Sequence, residues 1–563
     1  MYFNLNSTNF HEVYQNLIKS SQIIDIEPST KLLIIGNQRL KSLISKGEID
    51  TTQIQDVYKY YLDFGLLILF TPNSIEIYND IYGAYPLFCE NTDNQTSIKN
   101  YFKYSEQSQL NKLAVVEQIH FNHFLGSNTL CLNTERLPGG HKIKITSTKV
   151  VIENIYSWDD FINDLNNVEL SKSSFEYLTE SINQSINPEH KVTLTLTGGY
   201  DSRILFGSLL KSKINFDTIT WSKEESSQVS IARDVSEKYG IAHSTLYLDD
   251  NFDQKIDDYL EEIIQCDSEL SFITDVPPFI HLCKNLEKNQ NLISGFMGSE
   301  IIRGPSYSSE VTLTKFAASI QLCESKQEIK QKVLDFQNEY KVISDEFLLE
   351  NLDAIVENYT IYSRIGLDSE LKNLNIFKYL FREKYPKIFG HIIKLHQSNG
   401  INTINPYLDF KFIVSSLRYN LALNKMNPYE NNWYQNFVLY RFYANMLKEN
   451  YPSLLKTKLD RGYHLIDLIT VTGWIKIVPY QFYRKWKKSN VKPKIVVDSF
   501  KWFYNNISIV EIKDTELDQI IENEFVQKFR NKNQNLKARE KIMIQHILGI
   551  RKKINYKVEE HRT

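Results

Sequence analysis

Thr197-Gly198-Gly199-Tyr200-Asp201-Ser202 is the stretch of this chain whose residue types and order could do chemistry. Two adjacent glycines let a backbone approach a phosphate closely, because no Cβ stands in the way. Hydroxyls beside them and the free N–H groups of a following helix can donate to its oxygens. Asp201 adds a carboxylate suited to Mg²⁺ beside that phosphate. A Gly-Gly pair alone marks only a sharp strand-to-helix bend. Here the hydroxyl, both glycines, the acid and a second hydroxyl occur together, and they read as a phosphate-binding loop.

Such a loop needs a strand before it and a helix after it. Residues 192–196 alternate as a buried strand does, and 203–210 read as an apolar-faced helix. Strand-like runs at 216–221, 245–248 and 291–294, with a helix over 228–239, continue the order. This alternation predicts a parallel sheet with helices on both faces and ligands at the carboxyl ends of its strands. Residues 1–160 read differently. Short strands at 31–35, 66–70, 74–78 and 142–145, with turns at Thr71-Pro72-Asn73-Ser74 and Leu137-Pro138-Gly139-Gly140-His141, predict stacked antiparallel sheets. Residues 310–460 read as mostly helical. Beyond 480 the chain has nineteen Lys and Arg against ten Asp and Glu, a net charge of +9. There Tyr483-Arg484-Lys485-Trp486-Lys487-Lys488 is either a solvated helix face or a surface for an acidic partner, membrane headgroups or nucleic acid.

A length of 563 residues predicts roughly two to four domains. The net charge of −3 implies no general affinity for polyanions. The apolar run 65–70 is too short to span a bilayer, and residues 1–15 lack the pattern of a secretory signal, so a cytoplasmic location is expected. Cys89, Cys131, Cys266, Cys283 and Cys323 are scattered and odd in number, which predicts buried thiols rather than disulfides or a zinc site.

Taken together, residues 60 to 465 resemble the asparagine synthetase family, and the loop 197–202 resembles the pyrophosphate loop of ATP pyrophosphatases, Ser-Gly-Gly-x-Asp-Ser. The N-terminal marks are Asn79-Asp80-Ile81-Tyr82-Gly83-Ala84-Tyr85-Pro86-Leu87-Phe88, Leu137-Pro138-Gly139-Gly140-His141 and Ile155-Tyr156-Ser157-Trp158. The later marks are 294–304, similar to Ser-Gly-Glu-Gly-x-Asp-Glu-x-x-x-Gly, then Ile404-Asn405-Pro406-Tyr407-Leu408-Asp409, and finally 456–463 with its lysine loop. The chain departs from the family at Tyr2, where glutamine hydrolysis requires Cys, and at Phe296, Ser299 and Asn405.

The resemblance implies an α/β and α+β chain. A degenerate glutaminase-like domain, an antiparallel sandwich of the N-terminal-nucleophile type, would span 1–160. An ATP-pyrophosphatase domain with a parallel sheet and helical additions would span 165–470, followed by a basic helical extension over 471–563. It implies ATP binding by Leu196, Thr197, Gly198, Gly199, Asp201, Ser202, Arg203, Thr220, Trp221, Ser222 and Gly295. Mg²⁺ would rest on Asp201 and Glu300, and catalysis on Glu300, Lys458 and Arg461, with Lys458 the first choice for stabilising charge. Arg203 and Arg303 would add cations near the phosphates, while Asp409 and Tyr407 read as structural. The implied reaction is an ATP-dependent, AMP-forming amide ligation that adenylates a carboxylate of a small molecule, sugar or peptide. Ammonia or a substrate amine then takes the acyl group. With no glutaminase, a separate ammonia-supplying or pathway protein is an expected partner. Two other classes stay open: a non-catalytic nucleotide-binding or scaffold relative, and a nucleic-acid-modifying ATP pyrophosphatase. No nucleic acid partner is expected.

Overall fold

Leu66-Leu67-Ile68-Leu69-Phe70 is buried along its length, because both faces of its strand are covered. In the computed structural model it lies within a six-stranded antiparallel sheet. The strand order there is Val150–Asn154, His141–Ile145, Ser74–Asn79, Leu66–Thr71, Thr30–Ile35 and Ile23–Glu27. A second antiparallel sheet has four strands, in the order Asn4–Leu5, Gln95–Lys99, Phe88–Thr92 and Thr134–Arg136. The residues described are 4–9, 23–27, 30–49, 54–92, 95–104, 108–265, 277–303, 313–423, 433–488, 515–522, 524–525 and 537–555. Tyr2, Cys266 and Gly304 lie outside them, as does 489–514 of the basic C-terminal stretch.

The third sheet is parallel and has five strands: His243–Tyr247, Asp217–Ser222, Lys191–Thr195, Gln290–Ile293 and Ile401–Ile404. Lys191–Thr195 is its centre, paired on one side through Thr193–Asp217 and on the other through Lys191–Gln290. The chain is thus a mixed α/β protein with antiparallel sheets, a parallel sheet and many helices. The fifth parallel strand was not expected from sequence. It is four residues long, and Asn402 and Thr403 break its apolar pattern.

The stretch Leu380–Phe389 winds as a π-helix with Pro386 inside it. Proline has no N–H to give to a regular helix ladder, and the wider turn accommodates it. Arg382 from this stretch donates to the carbonyls of Ile81, Gly139 and Tyr156 at 3.1, 2.7 and 3.1 Å. The three N-terminal sequence marks therefore converge on one guanidinium. Asp80, within the first of them, accepts from the amides of Tyr82, Ala84 and Tyr85 at 2.8–3.1 Å. Arg136 donates to Gly83 and Pro386 carbonyls, locking the same joint. Farther along, buried Arg39 and Asp409 form an ion pair at 2.6 Å.

The C-terminal helix Ala538–Asn555 returns to the N-terminal half. Arg539 donates to the carbonyls of Ile119 and His120 and to Asn122, at the end of helix Lys112–Phe121. Cys89, Cys131, Cys283 and Cys323 are buried free thiols. Burial pushes the thiols of Cys89, Cys131 and Cys323 up to about 11.

Candidate functional site

The loop 197–202 joins the central parallel strand to helix Asp201–Lys211. It therefore emerges at the carboxyl end of the sheet, between two parallel neighbours, where open α/β sheets hold ligands. The loop is braced from within. Ser202 Oγ accepts from the Thr197 amide at 3.1 Å, and Thr197 Oγ1 accepts from the Gly199 amide at 3.2 Å. No side chain caps the helix at Tyr200, so its first turn keeps the positive end of the helix dipole uncapped by side chains.

Asp201 stands at that end. Its Oδ1 accepts from Tyr443 Oη at 2.7 Å, and its carbonyl accepts from Tyr407 Oη at 2.8 Å. Sequence reasoning placed Tyr407 in the core and did not single out Tyr443. Only long-range packing brings these hydroxyls to Asp201. The segment 294–304 packs against the same group. A Cβ on Gly298 would stand 2.9 Å from Asp201 Oδ1, and one on Gly295 would stand 3.5 Å from Asp201 Cβ. Between them Met297 takes a positive φ of 66°, a conformation uncommon for a residue with a side chain. Glu300 follows in the short helix Gly298–Arg303 and accepts from Ser299 Oγ at 3.0 Å.

The segment 457–463 roofs the loop. The Asp460 amide donates to Gly198 O at 3.0 Å, and a Cβ on Gly198 would press on Asp460 Cβ at 2.8 Å. Tyr463 and Tyr200 share a hydroxyl–hydroxyl bond. Burial pushes the Tyr463 phenol up to about 12 and holds that of Tyr200 well above its usual value, so both stay protonated. Arg461 lies over the rings of Tyr440 at 4.8 Å and Tyr200 at 5.4 Å, a cation–π clamp. Lys458 is exposed on this segment, across a strand-like bridge from His464. Gly462, at φ 84°, has the hydroxyl of Tyr480 where a Cβ would sit, which ties the turn to helix Val471–Lys488.

Four of the expected ATP-binding side chains, Leu196, Ser202, Arg203 and Thr220, are walled in rather than presented to a ligand, Ser202 through its bonds to Thr197. Leu196 is wholly buried, and its carbonyl accepts from Thr220 Oγ1, so both residues secure the strand end. Arg203 is also wholly buried and donates to Thr457 Oγ1 at 2.7 Å, beneath the roof. Its Nε and Nη2 have no partner, and burial brings its pKa down to about 10. The expectation that Arg203 adds a cation at the phosphates is corrected accordingly: it braces the roof segment from below. Thr197, Gly199, Asp201 and Gly295 keep partial exposure at the mouth. Trp221 and Ser222 lie at the end of the neighbouring strand, with Trp221 packed 5.5 Å from Phe279. Phe279 packs on Phe296 at 5.4 Å, and Phe296 on Phe389 at 4.7 Å, an aromatic wall beside the loop.

The donor set fits a phosphate-bound cation sparingly. Asp201 is a half-buried carboxylate at a helix N-terminus, beside glycines that leave room, and Glu300 is partly exposed nearby in sequence to Gly298. Among the described residues, no three His, Cys, Asp or Glu side chains gather as a metal-binding group. Mg²⁺ held here would depend on phosphate oxygens and water for most of its ligands.

No protein-family model matches the chain, and no curated protein does. Among solved structures, it is similar to an allosteric regulatory enzyme of purine biosynthesis at 16% identity and a TM-score of 0.14, covering 38% of this chain and 44% of that one. It is also similar to glutamine phosphoribosylpyrophosphate amidotransferase from B. subtilis complexed with ADP and GMP, at 13% identity and a TM-score of 0.14, covering 55% of this chain and 70% of that one. The chain spans less than half the length of the first. Likeness at these TM-scores carries no argument about activity.

Proposed function

We propose that this chain is an ATP-dependent, AMP-forming amide ligase, similar to the asparagine synthetase family and without glutaminase activity of its own. The observation that supports the reading best is the placement of loop 197–202. A hydroxyl-Gly-Gly-x-Asp-Ser loop leaves the central strand of a parallel sheet, opens a helix at Asp201, and is roofed by a segment carrying Lys458.

The residues have separable roles in this reading. Backbone N–H groups of 198 and 200–202 and the Thr197 hydroxyl bind the phosphates of ATP. Asp201, oriented by Tyr443, and Glu300 would hold Mg²⁺, which supplies charge neutralisation to the phosphates when bound. Roof segment 457–463 excludes water and brings Lys458 toward charge developing on the activated carboxylate. Arg461 is held by two aromatic rings and positions the roof. Phe296 stands where the family carries a glutamate, and with Phe279 and Phe389 it gives the site an apolar wall beside the loop. Most of the rate would come from positioning and electrostatics.

The test is pyrophosphate and AMP release from ATP with mixtures of carboxylates and amines, compared between the wild type and Asp201→Ala. The ligase reading expects turnover that Asp201→Ala lowers by about a hundredfold or more. ATP binding without AMP formation under any mixture would favour a non-catalytic nucleotide-binding relative. The absence of a three-ligand metal group among the described residues supports that second reading.

A further inference from the structure

Phe279, Phe296 and Phe389 come from three separate elements and meet in one row, with ring centroids 5.4 and 4.7 Å apart. Each is only partly buried, so part of each ring stays uncovered by the core. The row starts where the nucleotide would end: Trp221, on strand Asp217–Ser222, packs on Phe279 at 5.5 Å. It also adjoins the glycine loop. Phe296 directly follows Gly295, whose Cβ position lies 3.5 Å from Asp201 Cβ.

Two buried polar side chains stand at this row with hydrogen-bonding capacity left over. Asn405 follows strand Ile401–Ile404 and is 5% exposed, and neither its amide oxygen nor its nitrogen closes a hydrogen bond. It faces the hydroxyl of Tyr385, which donates to the Asp63 carbonyl at 3.4 Å. The Tyr385 ring lies 6.5 Å from that of Phe389. His396 packs 6.2 Å from Phe279; its Nδ1 bonds Thr403 Oγ1 at 2.7 Å, and its Nε2 has no partner. Thr403 and Asn405 are two apart along the chain as it leaves the strand, so both point to the same side of the sheet. A buried amide left unbonded is costly, and a ligand group that bonds to it removes that cost.

Such a surface sorts carboxylates by the body that carries them. An amino acid or a sugar acid would strip water from an ammonium or from several hydroxyls against phenyl rings. A flat aromatic body loses little there and gains ring stacking. His396 adds no charge, since burial pulls its pKa down to about 3. A nucleotide base also stacks on rings, but Trp221 holds that end, and Phe296 and Phe389 come after Phe279 in the row. We propose that the row of Phe279, Phe296 and Phe389 is the acyl subsite, and that it takes an aromatic carboxylic acid with a neutral polar substituent read by Asn405. The inference rests on the ligase reading for the fate of the carboxylate, and it can fail apart from it.

The test is calorimetric titration of the full chain, loaded with α,β-methylene-ATP and Mg²⁺, with cinnamate, 4-hydroxycinnamate and aspartate. Both aromatic acids are expected to bind about tenfold or more tighter than aspartate, with 4-hydroxycinnamate the tighter of the two. Phe296→Leu keeps the bulk, and Phe296→Glu reverses the polarity. Each should weaken binding of both aromatic acids by about tenfold and leave nucleotide affinity unchanged. Asn405→Ala should erase the preference for 4-hydroxycinnamate and leave cinnamate binding as it was, whereas a merely structural amide would move both together. Aspartate binding as tightly as either aromatic acid overturns the proposal. So does Phe296→Leu lowering nucleotide affinity in place of acid binding, or a chain that binds the nucleotide and neither aromatic acid. AMP release from ATP with aspartate and not with the aromatic acids keeps the ligase reading and overturns this one. Aromatic-acid binding without AMP release under any amine keeps this one and overturns the ligase reading.

Discussion

The amide of Asp460 donates to the carbonyl of Gly198 across 3.0 Å, so backbone joins the Tyr200–Tyr463 hydroxyl pair in fastening the roof segment to the glycine loop. A methyl group at position 198 would stand 2.8 Å from Asp460 Cβ and 3.3 Å from its nitrogen. Neither atom is the end of a flexible side chain. Gly198→Ala is expected to lift the segment and lower ATP-dependent pyrophosphate release by about ten- to a hundredfold. Steady-state kinetics beside a thermal melt check this, with the melting temperature staying within a few degrees of wild type.

Arg203 offers a test of the corrected role. It is a buried cation with one hydrogen bond, and its partner Thr457 Oγ1 has a second bond of its own to the Leu454 carbonyl. Replacing such a cation with an apolar side chain of similar volume is often neutral or stabilising. Arg203→Met is expected to unfold within about 1 kcal/mol of wild type and to keep its ATP affinity. Arg203→Ala, which leaves a cavity, is expected to lose about 3 kcal/mol. Denaturant titration separates the two. A collapse of ATP affinity in Arg203→Met, with the fold intact, would return this residue to the phosphate site.

Asp409 is expected to matter for stability and not for turnover. It pairs with buried Arg39 at 2.6 Å and accepts from the Phe412 amide at 2.7 Å, capping helix Phe410–Leu423. Asp409→Ala strands a buried guanidinium and should cost about 3–5 kcal/mol. The double change Arg39→Met with Asp409→Leu should recover all but about 1 kcal/mol, the share of the lost cap. Equilibrium unfolding of the three variants checks the cycle.

Stability should fall in mild acid. His120, His123, His396 and His546 are buried, and loss of solvation pulls their rings below the usual 6.5, to about 3 for His120, His396 and His546. Their contribution is present above the unfolded value near 6.5 and is lost as pH falls toward the folded one. Buried Asp80 and Glu117 act in the opposite sense, since burial pushes each up to about 7. Their contribution is present at low pH and is lost as pH rises from about 4 to about 7. The lowered histidines, His391 among them, outnumber the raised carboxyls Asp63, Asp80 and Glu117, so unfolding in mild acid takes up protons and stability falls as pH falls. Melting curves between pH 5 and 6.5 check the direction, and His546→Gln should flatten the slope by about one proton.

The parallel sheet was legible in the sequence because its central strands are covered on both faces. Val192, Leu194 and Ile293 leave little alternative to a buried strand. Loop 197–202 was legible because its glycines, hydroxyls and acid are contiguous. Ile401–Ile404 was not, since half of that strand is polar and its pairing with Gln290–Ile293 spans more than a hundred residues. The partners of Asp201 were equally hidden: Tyr407 and Tyr443 carry no local signal that their hydroxyls meet one carboxylate. Arg203 shows the converse. Its position one residue after the loop suggested a ligand, while its full burial is set by the distant Thr457.

The hydroxyl of Tyr480 occupying the side-chain space of Gly462 has a mechanical meaning. The turn that carries Lys458 rests on the inner wall of a helix whose outer side exposes Val471, Ile475 and Lys476. A load that tilts this helix moves the footing of the turn, and closure of the turn presses back on the helix. Any ligand that prefers one tilt and any ligand that prefers one closure then share a single free energy of coupling, and each shifts the affinity of the other by the same factor.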